Sequence, residues 1–480
     1  MKVSIERLLS VGSALAFAMG SSGVARASEG EDELVVAAKP TPPAQEVAPT
    51  RANADGSPSA VDARVRGLEA AVAALTVANE KAAVEKPLWL RPFTISGFVQ
   101  AEYQSHQDSE DELAQGGALL NKDRFVLRRG RVRVDGQWQY AHVQLEVDGN
   151  TQRGPQLRVL HGFATLKLPQ LHDSEYTRDQ PLAAVTMGLF DTPFGSELTE
   201  GPRTRWFMER SLASQSLFPA EPDVGVRFSG ALYFLRWSVA AMNGEPLEQR
   251  VGYSGQSPKS AKDVIFKVGA DTHPRENLQI SGNVSGLRGK GFHPGVDASK
   301  GQLLWRDSNE DGQIQPSELI GQSATAATPS QTFSRWALGV DIQARLRTRL
   351  GLTTAFAEAV VASNLDRGAF VADPVVVGID VREAGFMAGA TQEIARYGVL
   401  GFRYDYYDPN SDFLDKRSGR LVPSTQSVET FSPLAGLVLP DRARLLFQYD
   451  ISRNHFARDL SGQPVNLKAN AWTLRLQVEL

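Results

Sequence analysis

Apolar and polar side chains alternate along most of this chain, from about Phe93 to the C-terminus. In the last segment every second residue is apolar: Trp472, Leu474, Leu476, Val478 and Leu480. The residues between them are polar or charged: Thr473, Arg475, Gln477 and Glu479. Because successive side chains of a strand point to opposite faces, a period of two predicts strands with one apolar face.

This alternation predicts sixteen strands, joined by connections of two kinds. The predicted strands are 93–104, 123–136, 137–148, 156–168, 182–190, 223–231, 232–242, 262–271, 277–287, 334–347, 349–361, 380–394, 396–407, 427–439, 441–454 and 469–480. Tight turns are predicted at Gly136, Gly230 to Ala231, Thr348, Ala395 and Pro440 to Asp441. Long loops are predicted at 105–122, 191–222, 243–261, 288–333, 362–379 and 408–426.

Short turns at one end and long loops at the other are typical of transmembrane β-barrels. A closed barrel also pairs every backbone polar group in the hydrocarbon, which an open sheet cannot do. No segment after residue 28 is a continuous apolar run of about 18 residues, as a membrane-spanning helix would need. We therefore predict an all-β fold, a 16-stranded antiparallel transmembrane β-barrel formed by residues 88–480.

The N-terminus has the layout of a secretory signal peptide over residues 1–27. Lys2 is followed by an apolar run, Leu8–Met19, and then by the small residues Ala25 and Ala27. An N-terminal anchor helix is the alternative, but the apolar run is shorter than the roughly 20 residues that span a bilayer. The signal places the chain outside the cytoplasm, and together with the barrel it predicts the bacterial outer membrane, with the N-terminal region in the periplasm.

Two further segments precede the barrel. Residues 28–60 are rich in alanine, proline and small polar residues and are predicted to be a disordered linker. Residues 61–86 carry a narrow apolar stripe with heptad spacing: Val61, Val65, Leu68, Val72 and Leu75. We expect a short periplasmic coiled-coil helix that ends at Pro87, with Asn79 as a polar seam residue. An amphipathic helix lying on its own barrel would show a similar stripe.

Composition excludes several classes of protein. The chain has no cysteine, so it holds no disulfide and no thiolate metal site. Its formal net charge of -4 lacks the strong basic character that nucleic-acid binding needs. The seven histidines are scattered, and we find no HExxH, no GxSxG and no glycine-rich phosphate loop. We therefore expect a protein that is not an enzyme.

Five stretches of the barrel region resemble the phosphate-selective porins of Gram-negative outer membranes. They are Asp123–Gly136, Val185–Gly195, Trp206–Leu212, Pro222–Gly230 and Asn243–Gly244. The resemblance implies a sixteen-stranded barrel, usually a homotrimer, with an arginine ladder leading to a constriction that one inward-folded loop forms. Loop 191–222 would take that role. The chain departs from such barrels at its end, Leu480, where they commonly have Phe or Trp.

If the apolar face contacts lipid, the opposite face lines a water-filled lumen, and basic residues are frequent on it. The candidate pore-lining residues are Arg129, Arg131, Arg133, Lys167, Arg335, Arg345, Arg347, Arg403, Arg442, Arg444 and Arg475. Guanidinium groups match planar oxyanions, so such a file would attract small anions such as phosphate. Carboxylates on the same face would neutralise it: Glu102, Asp135, Glu146, Asp148, Asp341, Asp405 and Asp450.

The candidate constriction residues also carry charges of both signs. They are Asp191, Glu197, Glu200, Arg203, Arg205, Glu209 and Arg210. Loop 191–222 contains no lysine, although a phosphate trap should place positive charge at the narrowest point. An anion-preferring porin for small hydrophilic solutes is our main interpretation. A weakly selective porin and a non-conducting barrel with a structural or adhesive role stay open.

One loop has the pattern of a calcium site. Residues 307–318 fit D-x-[DN]-x-[DN]-G-x-x-x-x-x-E throughout, with Gly312 at the sharp turn. The predicted ligands for a structural Ca²⁺ are Asp307, Asn309, Asp311, the Gln313 carbonyl and Glu318. A polar turn without a metal is the alternative, because aspartate, asparagine and glycine are also turn residues.

Overall fold

A computed structural model describes residues 92–106, 123–152, 154–170, 180–219, 222–245, 256–417, 420–423, 426–439, 442–455, 467–468 and 470–480. The predicted signal peptide (1–27), linker (28–60) and coiled coil (61–86) lie outside the described residues.

Sixteen strands form one closed antiparallel sheet. They are β1 (Phe93–His106), β2 (Asp123–Gln137), β3 (Ala141–Asn150), β4 (Gln156–Leu168), β5 (Ala183–Asp191), β6 (Pro222–Leu232), β7 (Leu235–Met242), β8 (Asp263–Arg275), β9 (Leu278–His293), β12 (Gln331–Arg347), β13 (Leu352–Ser363), β14 (Arg382–Ile394), β15 (Gly398–Asp408), β18 (Val428–Leu439), β19 (Ala443–Asn454) and β21 (Ala471–Glu479). Each strand pairs with its neighbours along the chain, and β1 pairs with β21, where Phe98 lies opposite Glu479. The predicted barrel is confirmed.

The remaining elements are short and lie in the connections. They are β10 (Gln302–Trp305), β11 (Leu319–Gln322), β16 (Leu414–Arg417), β17 (Arg420–Pro423), β20 (Leu467–Lys468), the helices α1 (Leu212–Leu217) and α2 (Pro374–Val377), and the 3-10 turn Pro316–Glu318. No helix of the described residues is long and apolar enough to cross a membrane.

Every predicted strand overlaps an observed one, and the differences lie at the ends. β9 continues to His293, beyond the predicted end at 287, because it stays paired with β12 as far as Gln331. The alternation of short and long connections is not strict. The connection 169–182 is long but lies at the short-turn end, and 151–155 is short but lies at the long-loop end.

Burial alternates along the wall strands as the period of two requires. In β12, Leu338, Val340 and Ile342 are about half exposed, at 46%, 51% and 56%, whereas Asp341 between them is buried. An apolar outer belt of this kind suits the hydrocarbon of a bilayer, because a water-soluble surface rarely exposes such continuous apolar area.

The buried apolar core lies inside the barrel. The connection between β5 and β6, which we call the inward loop (residues 192–219), packs Phe194, Leu198 and Leu217 against wall residues such as Ile265 and Ala337. A second cluster joins the loop to β15, β18 and β19: Phe207, Met208, Val399, Leu434 and Leu446. The inner face is therefore not uniformly polar, because part of it packs against protein and not against water.

A charge on the outer belt should weaken the barrel. We expect Leu338→Arg to lower the free energy of unfolding by about 2–4 kcal/mol, because the guanidinium would sit in hydrocarbon near the middle of β12. Gln343→Arg, on the inner face of the same strand, should cost much less. Urea titration of refolding into lipid vesicles measures both, and equal losses would contradict the assignment of faces.

Candidate functional site

The first part of the inward loop is attached to β9 and β13. The N–H of Gly195 donates to Ser285 Oγ at 3.0 Å. The N–H groups of Ser196 and Glu197 donate to Glu358 Oε2 at 2.9 and 3.0 Å. Gly195 has a φ of +59°, and a Cβ there would meet the Glu358 carboxylate. This close approach explains why residue 195 is a glycine.

Glu197 holds two parts of the loop together. Its carboxylate accepts from the Ser211 N–H at 2.7 Å and from the Ser214 hydroxyl at 2.6 Å, next to the start of α1. Arg403 of β15 lies 3.5 Å away. Burial opposes the ionisation of Glu197, but Arg403 and Arg205 outweigh it and hold its pKa below the ordinary value.

Glu209 is surrounded by three guanidinium groups of β2 and β21. Arg128 Nε lies 2.8 Å from Glu209 Oε1, and Arg129 binds both carboxylate oxygens, at 3.0 and 2.8 Å. Arg475 Nη2 lies 3.1 Å from Glu209 Oε1 and also pairs with Glu102. Burial opposes ionisation here too, but the pKa of Glu209 is held well below its ordinary value by Arg129, Arg128 and Arg475.

A third attachment joins the loop to β1, β19 and β21. Arg203 pairs with Glu479 at 2.7 Å, and Arg444 pairs with the same carboxylate at 2.9 Å. Gln100 donates its amide N–H to the Pro202 carbonyl at 3.1 Å. Since the loop leaves β5, reaches β13 and then contacts β21 and β1, it crosses the inside of the barrel.

A cavity of about 560 Å³ remains between the loop and the wall of β1 to β6. We call it the central cavity. Its charged lining residues are Arg131, Arg133, Glu146, His161, Asp191, Glu200, Arg203, Arg227 and Glu479. Both signs of charge therefore line the space that the loop leaves open.

Glu146 contacts three other charged or titratable residues of this lining. It lies 2.6 Å from Arg133, 3.4 Å from Arg131 and 3.1 Å from His161, whose other ring nitrogen lies 2.9 Å from Asp191. The Glu146 side chain is only 2% exposed, whereas that of Arg133 is 40% exposed. The guanidinium group thus faces the cavity, and the carboxylate lies behind it.

Arg227 of β6 differs from its neighbours. Its guanidinium stacks on Phe190, 5.0 Å from the ring centroid. It forms no ion pair with a described carboxylate, and its Nε is buried without a hydrogen-bond partner. Arg227 is therefore the cavity cation whose charge is least neutralised by direct contact.

The predicted pore-lining residues fall into three groups. Arg131 and Arg133 line the central cavity. The following contact the inward loop: Arg129, Arg403, Arg444 and Arg475. The following do not line that cavity and form no hydrogen bond or ion pair with the described loop residues: Lys167, Arg335, Arg345, Arg347 and Arg442. The sequence placed all of them on the inner face, but only the first group lines the central cavity.

The third group has varied surroundings. Arg335 is buried and pairs with Asp263 at 2.8 Å, on the wall opposite the central cavity. Arg345 and Arg347 are exposed near the short-turn end of β12. Arg442 lies in the turn before β19 with a φ of +64°, not on the barrel wall.

The predicted constriction residues are also divided. Asp191, Glu200 and Arg203 line the central cavity. The others lie within the loop or against the wall: Glu197, Arg205, Glu209 and Arg210. Arg205 donates to the Glu200 carbonyl at 2.7 Å, and Arg210 is buried next to the Phe218 carbonyl at 3.4 Å.

Sequence reasoning missed Glu358, Gln448, His161, Arg128 and Arg227. A signal existed for Glu358, which is the single charged residue in the otherwise apolar and hydroxyl-bearing strand β13. Gln448, whose side-chain oxygen accepts from the Met208 N–H at 2.9 Å, is one of many polar inward residues and carried no such signal.

The calcium-like loop joins β10 to β11. Its turn is formed: Asp307 accepts from the Gly312 N–H at 2.7 Å, and Gly312 has a φ of +69°. Glu318 instead accepts from Trp305 Nε1 and from the Ser308 N–H, both at 3.1 Å. Among the described residues no group of three or more histidine, aspartate or glutamate side chains is arranged to hold a metal ion. Calcium binding stays a prediction.

No protein-family model matches the chain, and no curated protein matches its sequence. Its fold is similar to that of several solved structures. The outer membrane channel DcaP of Acinetobacter baumannii has a TM-score of 0.48 and 12% identity, with 81% of this chain and 97% of that chain covered.

Two further structures are similar to the same degree. OprB of Pseudomonas putida has a TM-score of 0.46 and 11% identity, with 82% of this chain and 95% of that chain covered. An anion-selective porin from Comamonas acidovorans has a TM-score of 0.45 and 10% identity, with 81% and 99% covered. These scores are low, so the fold assignment rests on the strand pairing described above and not on the likeness.

Removal of the Glu358 carboxylate should loosen the start of the inward loop. An unsatisfied buried donor costs about 1–3 kcal/mol, so we expect about tenfold faster amide hydrogen exchange at Ser196 and Glu197 in Glu358→Ala. Glu383→Ala is the matched control, because Glu383 accepts in the same way from the N–H groups of Leu365 and Asp366. Exchange at Ser196 and Glu197 that stays unchanged in Glu358→Ala would contradict the attachment.

Proposed function

We propose that the chain is an outer-membrane porin, a passive water-filled channel for small hydrophilic solutes with a weak preference for anions. The observation that carries the proposal is the inward loop. It crosses a closed barrel with an apolar belt and leaves beside it a charged cavity of about 560 Å³. A purely structural barrel has no need to keep a charged opening of this size inside its wall.

The preference for anions is supported by which charges meet the cavity. The Arg133 and Arg203 side chains are 40% and 45% exposed, whereas their partners Glu146 and Glu479 are 2% and 15% exposed. Arg227 adds a cation without a direct partner carboxylate. Asp191 and Glu200 also line the cavity, where the arginines and the carboxylates are equal in number, so the preference rests on the greater exposure of the arginines. The preference should accordingly be weak.

Strong selectivity for phosphate has less support. A phosphate ladder needs guanidinium groups that are open to the solute, but Arg129, Arg403 and Arg475 are bound by carboxylates and carbonyls of the loop and wall. Phosphate-like anions are therefore proposed as permeant solutes and not as specific ligands. The homotrimer and the periplasmic coiled coil stay predictions.

Planar-bilayer recording tests the function. The wild-type protein should form open channels whose reversal potential in a KCl gradient indicates anion preference. Arg227→Gln should shift that potential toward cation preference, because it removes a cavity cation. Arg275→Gln removes the same charge from the exposed end of β8 and should leave the potential unchanged. Absence of conductance steps would refute the porin, and equal effects of the two variants would refute the role of the cavity charges.

We also propose that loop 307–318 takes up Ca²⁺ and stiffens the long connection between β9 and β12. Hard oxygen donors stand at the spacing that calcium loops use, and the turn at Gly312 is preformed. Calcium binding would require the Glu318 carboxylate to release the Trp305 indole N–H and the Ser308 N–H and to bind the cation instead.

Trp305 gives a direct readout of this exchange. Addition of Ca²⁺ to the purified protein should change its tryptophan fluorescence, because Glu318 leaves the Trp305 indole N–H, and Trp305→Phe, which keeps the other six tryptophans, should remove the change. Glu318→Gln and Asp307→Asn should abolish the change, whereas Glu310→Gln, at a non-ligand position of the same loop, should retain it. A wild-type protein that shows neither a fluorescence change nor calorimetric heat with Ca²⁺ would end the proposal.

A further inference from the structure

An apolar groove of about 380 Å³ lies on the outer face of the barrel, near the short-turn end. We call it the outer groove, and six of its ten lining residues are Gly398, Leu400, Ala435, Leu437, Leu445 and Phe447. Strand register explains why it forms. Ala435 of β18 lies between Leu400 of β15 and Phe447 of β19, and Gly398 of β15 lies beside Leu437. The two small residues therefore leave a gap among large, exposed apolar side chains.

Arginines border the short-turn end of the outer groove. Arg396 lies two residues before Gly398, in the turn between β14 and β15, and Arg442 lies in the turn between β18 and β19. The two turns are adjacent, because the Val438 N–H donates to the Tyr397 carbonyl at 2.8 Å. Both arginines are exposed, and neither forms an ion pair with a carboxylate of the described residues. The groove therefore ends beside two positive charges.

The next turn along the rim adds a further cation. It joins β12 to β13, and its Leu350 carbonyl accepts from the Ala395 N–H at 2.6 Å. By sequence, the charged residues of the three turns are Arg349, Arg396, Arg442 and Asp441. Basic residues in excess at the edge of the hydrocarbon attract anionic lipid headgroups.

We propose that the outer groove, Arg396 and Arg442 form a binding site for an anionic phospholipid, with one acyl chain in the groove and the phosphate between the two guanidinium groups. The planar guanidinium fork can donate two hydrogen bonds to phosphate oxygens. Short turns of such barrels face the periplasm, so the lipid belongs to the periplasmic leaflet. The site lies on the outer wall and does not depend on whether the barrel conducts.

The size of the outer groove favours a lipid over a second copy of the chain. A stable protein interface takes about 20–30 residues from each partner. The outer groove has ten lining residues, and each of them is apolar or glycine. An acyl chain needs no more than this, because it has no polar group to satisfy.

Native mass spectrometry of the detergent-solubilised protein, titrated with lipid, tests the headgroup contact. Phosphatidylglycerol and phosphatidylcholine with identical acyl chains are the probes, since only the first has a net negative charge. We expect about 25-fold tighter binding of phosphatidylglycerol, because each arginine beside an anionic headgroup adds about fivefold in affinity. The double variant Arg396→Gln with Arg442→Gln should lose this preference. Arg275→Gln, which removes an exposed arginine at the end of β8, should keep it.

Ala435→Leu tests the groove separately. The added side chain fills the gap and faces lipid, so the barrel should fold, and the binding of both lipids should weaken. Ala164→Leu is the matched control, because Ala164 is exposed on β4, outside the outer groove. It should bind both lipids as the wild type does.

Three results would overturn the lipid site. One is a preference for phosphatidylglycerol that persists in the double arginine variant, and another is equal lipid binding by Ala435→Leu and Ala164→Leu. The third is an oligomer that Ala435→Leu dissociates, since this would assign the outer groove to a second copy of the chain. Lipid binding needs no conduction, so a conducting barrel without the preference refutes only the lipid site, and a bound lipid on a barrel that does not conduct refutes only the porin.

Discussion

Carboxylates that bind guanidinium groups or backbone N–H groups across the inside of the barrel hold the inward loop in place, and the shape of the open space depends on these contacts. Glu358, Glu197 and Glu209 each join a different part of the loop to a different part of the wall. Removal of one partner from a buried pair leaves an uncompensated charge and costs about 3–5 kcal/mol, so the separate attachments reinforce one another. The central cavity is the space that the loop, fixed in this way, leaves between itself and the wall of β1 to β6.

This arrangement divides the inner surface by function. Where the loop lies, the wall is apolar or ion-paired, with Leu446, Val399 and Leu434 packed under Phe207 and Met208. Beside the central cavity, the wall of β1 to β6 carries charged groups that reach water. The outer surface exposes apolar side chains on strands all round the barrel. The outer face of the sheet is therefore apolar throughout. The inner face is packed against the loop in one part and is charged and open to water in the other.

That difference explains what the sequence could predict. The outer face repeats along every strand, so a period of two was enough to locate all sixteen strands and to place Arg131 and Arg133 on the inner face. The contacts of Arg129, Arg403 and Arg475 could not be read in this way, because their partners lie far away in the chain. Arg475 and Glu102, for example, are 373 residues apart. Alternation fixes the face of a side chain but not the residue that it meets across the barrel.

The position of the inward loop is the claim on which the central cavity and its charges depend. A high-resolution cryo-EM or crystallographic map of the protein purified from membranes tests it most directly. The account predicts density for residues 192–219 inside the barrel, with the Glu209 carboxylate against Arg129 and the Ser196 N–H against Glu358. A loop that lies over the long-loop end, with an interior that is open across its full width, would contradict it.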